Sequence, residues 1–466
     1  MTDGTAADGD AARDPCDRTT AEDWIAGTAT RSITPDASTW MAGFGFRDGP
    51  SEGVELDLRA SALALEDRRG TRMVLISAEV LVLQRQLRDA VVERCAEAYD
   101  LDPESVFLNA THTHCGPEYR EYKIDMQADD PAHYRRRAVE YRARLEDALV
   151  AVVGEALEDR SPASLRYDHA RCGFAMSRRR PTESGIEHVP YPDGSVDHDV
   201  PVLTVRNRPH GSTDGGEGAS AGPVRAIVFG YACHTTTVLR CDGWKRFHGD
   251  WAGYARQYLE EAYPEATVLF LQGFAGDQNA YPRGSLELAR NHGRSMANAV
   301  RVGVEAARTP VRGPLRTVFA EHPISFEAPP SREVLETMRD ADDPIERVRA
   351  RELLAELGDS GSIPTERSLP VHGIGFGSDL TLVGLGGEVL VEYSIRLKAE
   401  VDGHLWTAGY TNAGFTYVPT ERALYEGGYE GGEVIRYTTF PGPPTPDIEE
   451  RVLGRARTVI DRVSGP

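Results

Sequence analysis

Two histidines separated by a single residue stand in the segment THTHCGP, residues 111–117. His112 and His114 follow the apolar run SVFLNA, whose composition predicts a buried strand. In an extended chain residues i and i+2 face the same side, so the spacing predicts two imidazoles at one strand mouth. Neutral imidazole is the commonest metal-ligating side chain. The pair therefore suits two metal ligands, or one ligand with an acid beside it, and equally a strand end capped by hydrogen bonds. A third histidine, His234, closes another apolar run, IVFGYACHTTT. Its recurrence at a second strand end shifts the balance toward a metal.

Other polar residues close or follow apolar runs in the same way. Asp250 opens a helical stretch at GDWAGYA, where a carboxylate also suits the helix cap and dipole. The turn QGFAGDQN, residues 272–279, lets backbone amides approach a ligand or an oxyanion, and its Asp277 reads equally as a turn residue. Glu388 follows a strand through two glycines and opens a helix, so it either points into a crevice or complements the helix N-terminus. Residues 409–432 are rich in tyrosine and glycine; such tyrosines line a pocket, donate to an oxyanion or simply pack.

The elements that must position these residues alternate. Strand-like runs at 73–83, 105–114, 224–234, 266–277 and 379–388 are separated by helical periodicity at 83–99, 134–157 and 253–263. This pattern predicts an α/β fold, a mixed sheet core with flanking helices, whose site lies beyond the carboxyl ends of the strands. Residues 1–21 are small and acidic and are expected to be a disordered tail. Residues 22–466 then form a single catalytic domain, with a flexible loop near 211–222 and a charged helical excursion on the outside near 330–358.

Acidic residues outnumber basic ones by 73 to 52, and the net charge of −21 repels nucleic acid and anionic membrane surfaces. Only three lysines occur, at 123, 245 and 398. No run is apolar enough for stable membrane insertion and the first residues lack a secretory signal, so a cytoplasmic protein is expected. The six cysteines show no paired spacing and are expected to be free thiols.

Taken in order, these segments resemble the catalytic domain of the neutral, non-lysosomal ceramidases. The likeness runs from GTATRSITP (27–35) and MAGFG (41–45) through THTHCGP to YEGG (429–432). It implies one zinc per chain, with His112, His234, Glu388 and Tyr417 as the metal residues. It further implies that His114 and Arg178 face the substrate carbonyl or product carboxylate and that Tyr429 is an active-site tyrosine.

Three departures qualify the likeness. Gly273 stands where the family carries a serine implicated in ceramide handling, which excludes a serine nucleophile there. Ser177 and Pro419 replace an asparagine and a threonine, so a pocket reshaped for a smaller or more polar N-acyl substrate is expected. The chain is also expected to be a short form without the family's immunoglobulin-like C-terminal domain. The activity implied is hydrolysis of a linear amide by zinc-activated water, with His114 protonating the leaving amine and Tyr429 or Arg178 meeting the oxyanion. The alternatives are an ester or other acyl hydrolase and a non-catalytic zinc-binding member.

Overall fold

The computed structural model describes residues 24–208, 222–306 and 309–464. The expected acidic tail, and all of the expected loop near 211–222 except its last residue, lie outside them. Nine strands form the larger sheet: β1 (Trp24–Ser32), β2 (Arg59–Glu66), β3 (Arg72–Ala78), β4 (Val106–Ala110), β5 (Ser161–Arg171), β6 (Asp199–Asn207), β7 (Val224–Tyr231), β8 (Thr267–Gln272) and β9 (Thr309–Val311). Their order is β8-β7-β6-β5-β1-β2-β3-β4, with β9 on β5. A second sheet contains β10 (Leu315–Ser325), β11 (Glu366–Phe376), β12 (Leu380–Leu385) and β13 (Leu405–Ala408) in chain order.

Most neighbours are antiparallel, but β3 with β4, β7 with β8, and β12 with β13 run parallel. The larger sheet curls until its two ends meet. Ser77 Oγ on β3 donates to Phe270 O on β8 at 2.6 Å, and Asn109 Oδ1 accepts from Gln272 N at 2.8 Å. Apolar side chains fill the space between the sheets, among them Leu63, Leu75, Phe107, Leu271, Leu382 and Trp406. Covered on both faces, β2 and β3 read as nearly unbroken apolar runs.

Helices close the outside. In α3 (Pro131–Glu158) the Asp130 side chain accepts from His133 N and Pro131 fills the first turn; a residue without an amide hydrogen costs nothing there. Ala138, Tyr141, Leu145, Leu149, Val152 and Ala156 then recur at three- and four-residue spacing and are buried with α1 (Arg85–Tyr99) against the sheet. Helix α4 (Asp250–Ala262) covers β8, and α5 (Leu286–Ala306) packs beside it over β5 and β6. Helices α8 (Val391–Glu400) and α9 (Ile448–Val463) cover the second sheet. No helix among the described residues is long and apolar enough to cross a membrane.

The charged excursion forms α6 (Arg332–Arg339) and α7 (Pro344–Ser360), but it does not merely decorate the surface. Arg349 is buried and donates to the carbonyls of Thr438, Phe440 and Pro441 at 2.6, 2.7 and 3.1 Å. Arg351 pairs with Asp125 on α2 (Glu121–Gln127) at 2.5 Å. Charge content suggested a solvated appendage; its arginines instead pin chain segments that wall the cavity described next.

Candidate metal centre

Four strands end earlier than their apolar runs predict, and three of these early ends release a candidate residue into a common crevice. β4 stops at Ala110 before His112, β7 at Tyr231 before His234, β8 at Gln272 before the glycine turn, and β12 at Leu385 before Glu388. His112, His114, Arg178, His234, Glu388, Tyr417 and Tyr429 all line one cavity of about 780 Å³.

The two histidines of THTHCGP do not meet through the pleat of a strand. His112 lies in the left-handed region with φ of 60°, a conformation that costs a non-glycine residue about 1–2 kcal/mol. Thr111 N bonded to Ala78 O at 2.9 Å and the Thr235 hydroxyl donating to His112 O hold it there. The kink sets the two rings edge to face, 4.9 Å between centroids. His114 is seated against Phe44, and Gly43 passes so close that a Cβ there would lie 2.5 Å from the His114 ring. Arg47, buried among carbonyls, donates to His114 O at 2.8 Å.

Backbone carbonyls set the tautomers. His112 Nδ1 lies 2.7 Å from Leu81 O, and His234 Nδ1 lies 2.6 Å from Ala275 O and 3.1 Å from Gln278 O. A carbonyl oxygen only accepts, so both Nδ1 atoms carry hydrogen, which leaves Nε2 of each ring as the nitrogen that can serve as a ligand. Those Nε2 atoms lie 3.3 and 3.1 Å from Glu388 Oε2, and His112 Nε2 is 3.3 Å from His114 Nε2. One ring nitrogen from each of His112, His114 and His234 lies within 4.8 Å of the other two. Acceptors converge on one point, and what satisfies them together is a cation; imidazoles with a carboxylate are a donor set that zinc takes.

Burial alone would raise the Glu388 carboxyl, but His112 and His234 hold it well below the usual carboxylate range. Burial, then the Arg178 charge, lowers His234 to about 4. Burial, then the neighbouring His112 and His234, pushes His114 well down. His114 and His234 are therefore neutral at pH 7.

Tyr417 is paired across a short parallel bridge with Glu388, and its hydroxyl accepts from Arg178 Nη2 at 2.8 Å. Arg178 also donates to Glu430 at 2.7 Å, Asn279 Oδ1 at 3.2 Å and Gly276 O at 2.7 Å. A guanidinium has five donors, so one N–H remains for a ligand. Tyr429 packs on the Tyr417 ring at 5.6 Å and faces His188. Burial raises both phenols, so both remain protonated donors at neutral pH.

Asp250 and Asp277 stand outside the cavity wall. Asp250 accepts from the amides of Thr237, Val238 and Trp251 at 3.1, 3.0 and 2.7 Å, bracing the loop after His234. Asp277 accepts from Val391 N at 2.9 Å, at the start of α8. The glycine turn offers carbonyls to His234, while its amides at Gly273, Gly276 and Gln278 are spent on backbone partners. At Gly273 an added Cβ would lie 2.9 Å from the Ala232 backbone, so no serine fits the observed path.

Sequence reasoning did not single out Tyr410, which tilts over His112 at 4.1 Å and whose hydroxyl is 3.5 Å from Glu388 Oε2. It also passed over Glu430, which joins Arg178 and Arg179. The one available signal was the tyrosine- and glycine-rich run that holds both residues.

Known proteins resemble this chain in sequence and in fold. The "Neutral ceramidase" of Mycobacterium tuberculosis is 25% identical over 300 residues, 60% of this chain and 44% of that protein. "Neutral ceramidase A" of Dictyostelium discoideum is 25% identical over 248 residues, 51% of this chain and 32% of that protein. The matched stretch thus spans less than half of either relative. The crystal structure of neutral ceramidase from Pseudomonas aeruginosa superposes with a TM-score of 0.70 at 18% identity, covering 95% of this chain and 74% of that one, which shows a shared fold. Residues 24–276, more than half of the chain, match the family "Neutral/alkaline non-lysosomal ceramidase, N-terminal". The chain therefore belongs to the neutral/alkaline non-lysosomal ceramidases.

Proposed function

We propose that this protein is a zinc-dependent hydrolase that cleaves the amide bond of N-acyl compounds of the ceramide type. The observation that carries the reading is the convergence of His112, His234 and Glu388 as acceptors at the wall of a cavity that also presents protonated tyrosines. Zinc bound there supplies a water whose pKa falls to about 7 and a Lewis acid for the carbonyl. Everything else is done by side chains.

Neutral His114 has no proton to give at the outset. It takes one from the attacking water and passes it to the departing amine, so a single imidazole serves as base and then acid. Tyr429, held protonated by burial, donates to the developing oxyanion, with the remaining Arg178 N–H as a second donor. Tyr417 is held by the Arg178 guanidinium beside the metal site.

The test uses purified protein with N-dodecanoylsphingosine, N-dodecanoylethanolamine and an ester of the same acyl chain. Release of amine, abolished by chelation and restored by zinc, supports the reading. Turnover of the ester alone moves the activity to ester hydrolysis, and bound zinc without turnover of any acyl compound makes the protein a non-catalytic zinc binder.

A further inference from the structure

Each lysine outside the cavity is neutralised. Lys245 pairs with Asp48 and Glu52 at 3.0 and 2.8 Å, and Lys398 with Asp197 and Asp199 at 2.8 and 3.1 Å. Lys123 lines the cavity from α2 and differs. Its ammonium donates to Tyr437 O and lies 5.6 and 5.8 Å from the ring centroids of Tyr122 and Tyr437. No ion pair joins it to a carboxylate among the described residues. Two of its three hydrogens are left without a protein acceptor there.

The carboxylates that might have answered it are committed. Arg120 holds Glu118 through both oxygens, at 2.8 and 2.6 Å. Glu388, the one acidic residue in the cavity lining, belongs to the metal set. Arg283 adds a second cavity cation that makes no ion pair among the described residues and rests on the Tyr281 ring at 5.4 Å. A cavity with surplus positive charge inside a protein of net charge −21 is a local inversion of the field, and low-dielectric walls concentrate such a field on an entering anion. Burial meanwhile pushes the Lys123 ammonium down to about 7, the cost of a cation kept without a counter-ion.

We propose that the substrate carries an anionic group, a carboxylate or a phosphate ester, on its amine half, and that Lys123 is the counter-ion that selects it. Lys123 stands over the Tyr437 ring, which packs 6.3 Å from that of Tyr429, so the ammonium shares the cavity wall that carries the proposed oxyanion donor. The inference rests on the N-acyl hydrolase reading and narrows its substrate class.

Binding and turnover are measured with N-dodecanoylglycine, N-dodecanoyl-O-phosphoethanolamine and neutral N-dodecanoylethanolamine, on the zinc-loaded protein and on Lys123→Met and Lys123→Arg. One or both anionic compounds should bind about tenfold or more tightly than the neutral one; whichever does identifies carboxylate or phosphate. Lys123→Met should erase that preference and leave the neutral compound within about twofold, and Lys123→Arg should retain most of it. Equal affinity for all three compounds, or a preference that survives in Lys123→Met, overturns the inference while leaving the hydrolase reading intact. Failure to bind any of the three while N-dodecanoylsphingosine is cleaved overturns the inference alone, and failure with all four overturns both.

Discussion

His114 differs from the other two clustered histidines at its second ring nitrogen. His112 and His234 each anchor Nδ1 on a backbone carbonyl, whereas His114 Nδ1 has no hydrogen-bond partner among the described residues. A metal-ligating histidine almost always donates its other N–H to an oxygen, so His114 is assigned to proton transfer and not to the metal. His114→Ala should therefore purify with about one zinc per chain, its metal affinity reduced by no more than the about 10–100-fold that losing an outer partner costs. Its turnover should fall by about 10²–10⁴, equivalent to about 3–5 kcal/mol of barrier. His234→Ala removes an Nε2 that points at Glu388 and leaves the Ala275 carbonyl unanswered, so zinc itself should be lost. Elemental mass spectrometry and amide hydrolysis on the two variants, each shown folded by circular dichroism, separate the roles. A zinc-free His114→Ala makes His114 a ligand, and a fully active one removes it from the chemistry; either result refutes the argument from the unanchored Nδ1.

Zinc removal should lower stability as well as activity, since a ligand at a hundredfold its dissociation constant contributes about 2.7 kcal/mol; a melting curve indifferent to chelator would speak against a resident metal. Glu430→Gln should cost about 3–5 kcal/mol in denaturant unfolding, because Glu430, 2% exposed, bonds Arg178 and Arg179 at 2.7 and 3.0 Å. A loss below about 1 kcal/mol would mean that Glu430 does not anchor Arg178. Burial raises Asp277 from 3.8 to about 6, so the folded state holds its proton more tightly than the unfolded chain. Its contribution is greatest below the unfolded pKa of 3.8 and declines as pH rises through about 6, at a cost of about 3 kcal/mol above that. Asp277→Asn keeps an acceptor for Val391 N and should melt above the parent protein at pH 8 but not at pH 4; equal midpoints at pH 8 would sink this assignment.

The sequence was most legible where chemistry and strand pattern coincide. Apolar runs ending in His112 and His234 marked two ligand candidates because a buried strand must break off where a polar side chain is to face a crevice, whereas Glu388 became a ligand candidate only through the family resemblance. What periodicity misjudged was the local path. An HxH pair reads as a pleated strand, whereas the left-handed kink at His112 depends on Ala78 and Thr235, neither of which belongs to the motif. The Arg178–Glu430 pair spans 252 positions and has no local signature. Charge on 330–358 suggested solvent, since a sequence does not show that Arg349 meets three carbonyls near residue 440.

The anchors explain why this site needs mixed sheets. His112 follows β4 and its anchor, Leu81, follows β3, the parallel neighbour. His234 follows β7 and is anchored by Ala275 and Gln278 after β8, again the parallel neighbour. Glu388 follows β12, and Tyr410, within 3.5 Å of it, follows β13, the third parallel pair. Two parallel strands end at the same edge, so one can deliver a ligand while the other delivers the group that orients it; an antiparallel neighbour would send its following loop to the opposite edge. Three of the four anchors, those at Leu81, Ala275 and Gln278, are backbone carbonyls, which any residue type supplies. Substitution at Leu81 or Ala275 should therefore be tolerated so long as the loop path holds, whereas a one-residue insertion between β3 and Leu81, or between β8 and Ala275, should cost metal affinity with every ligand side chain still present.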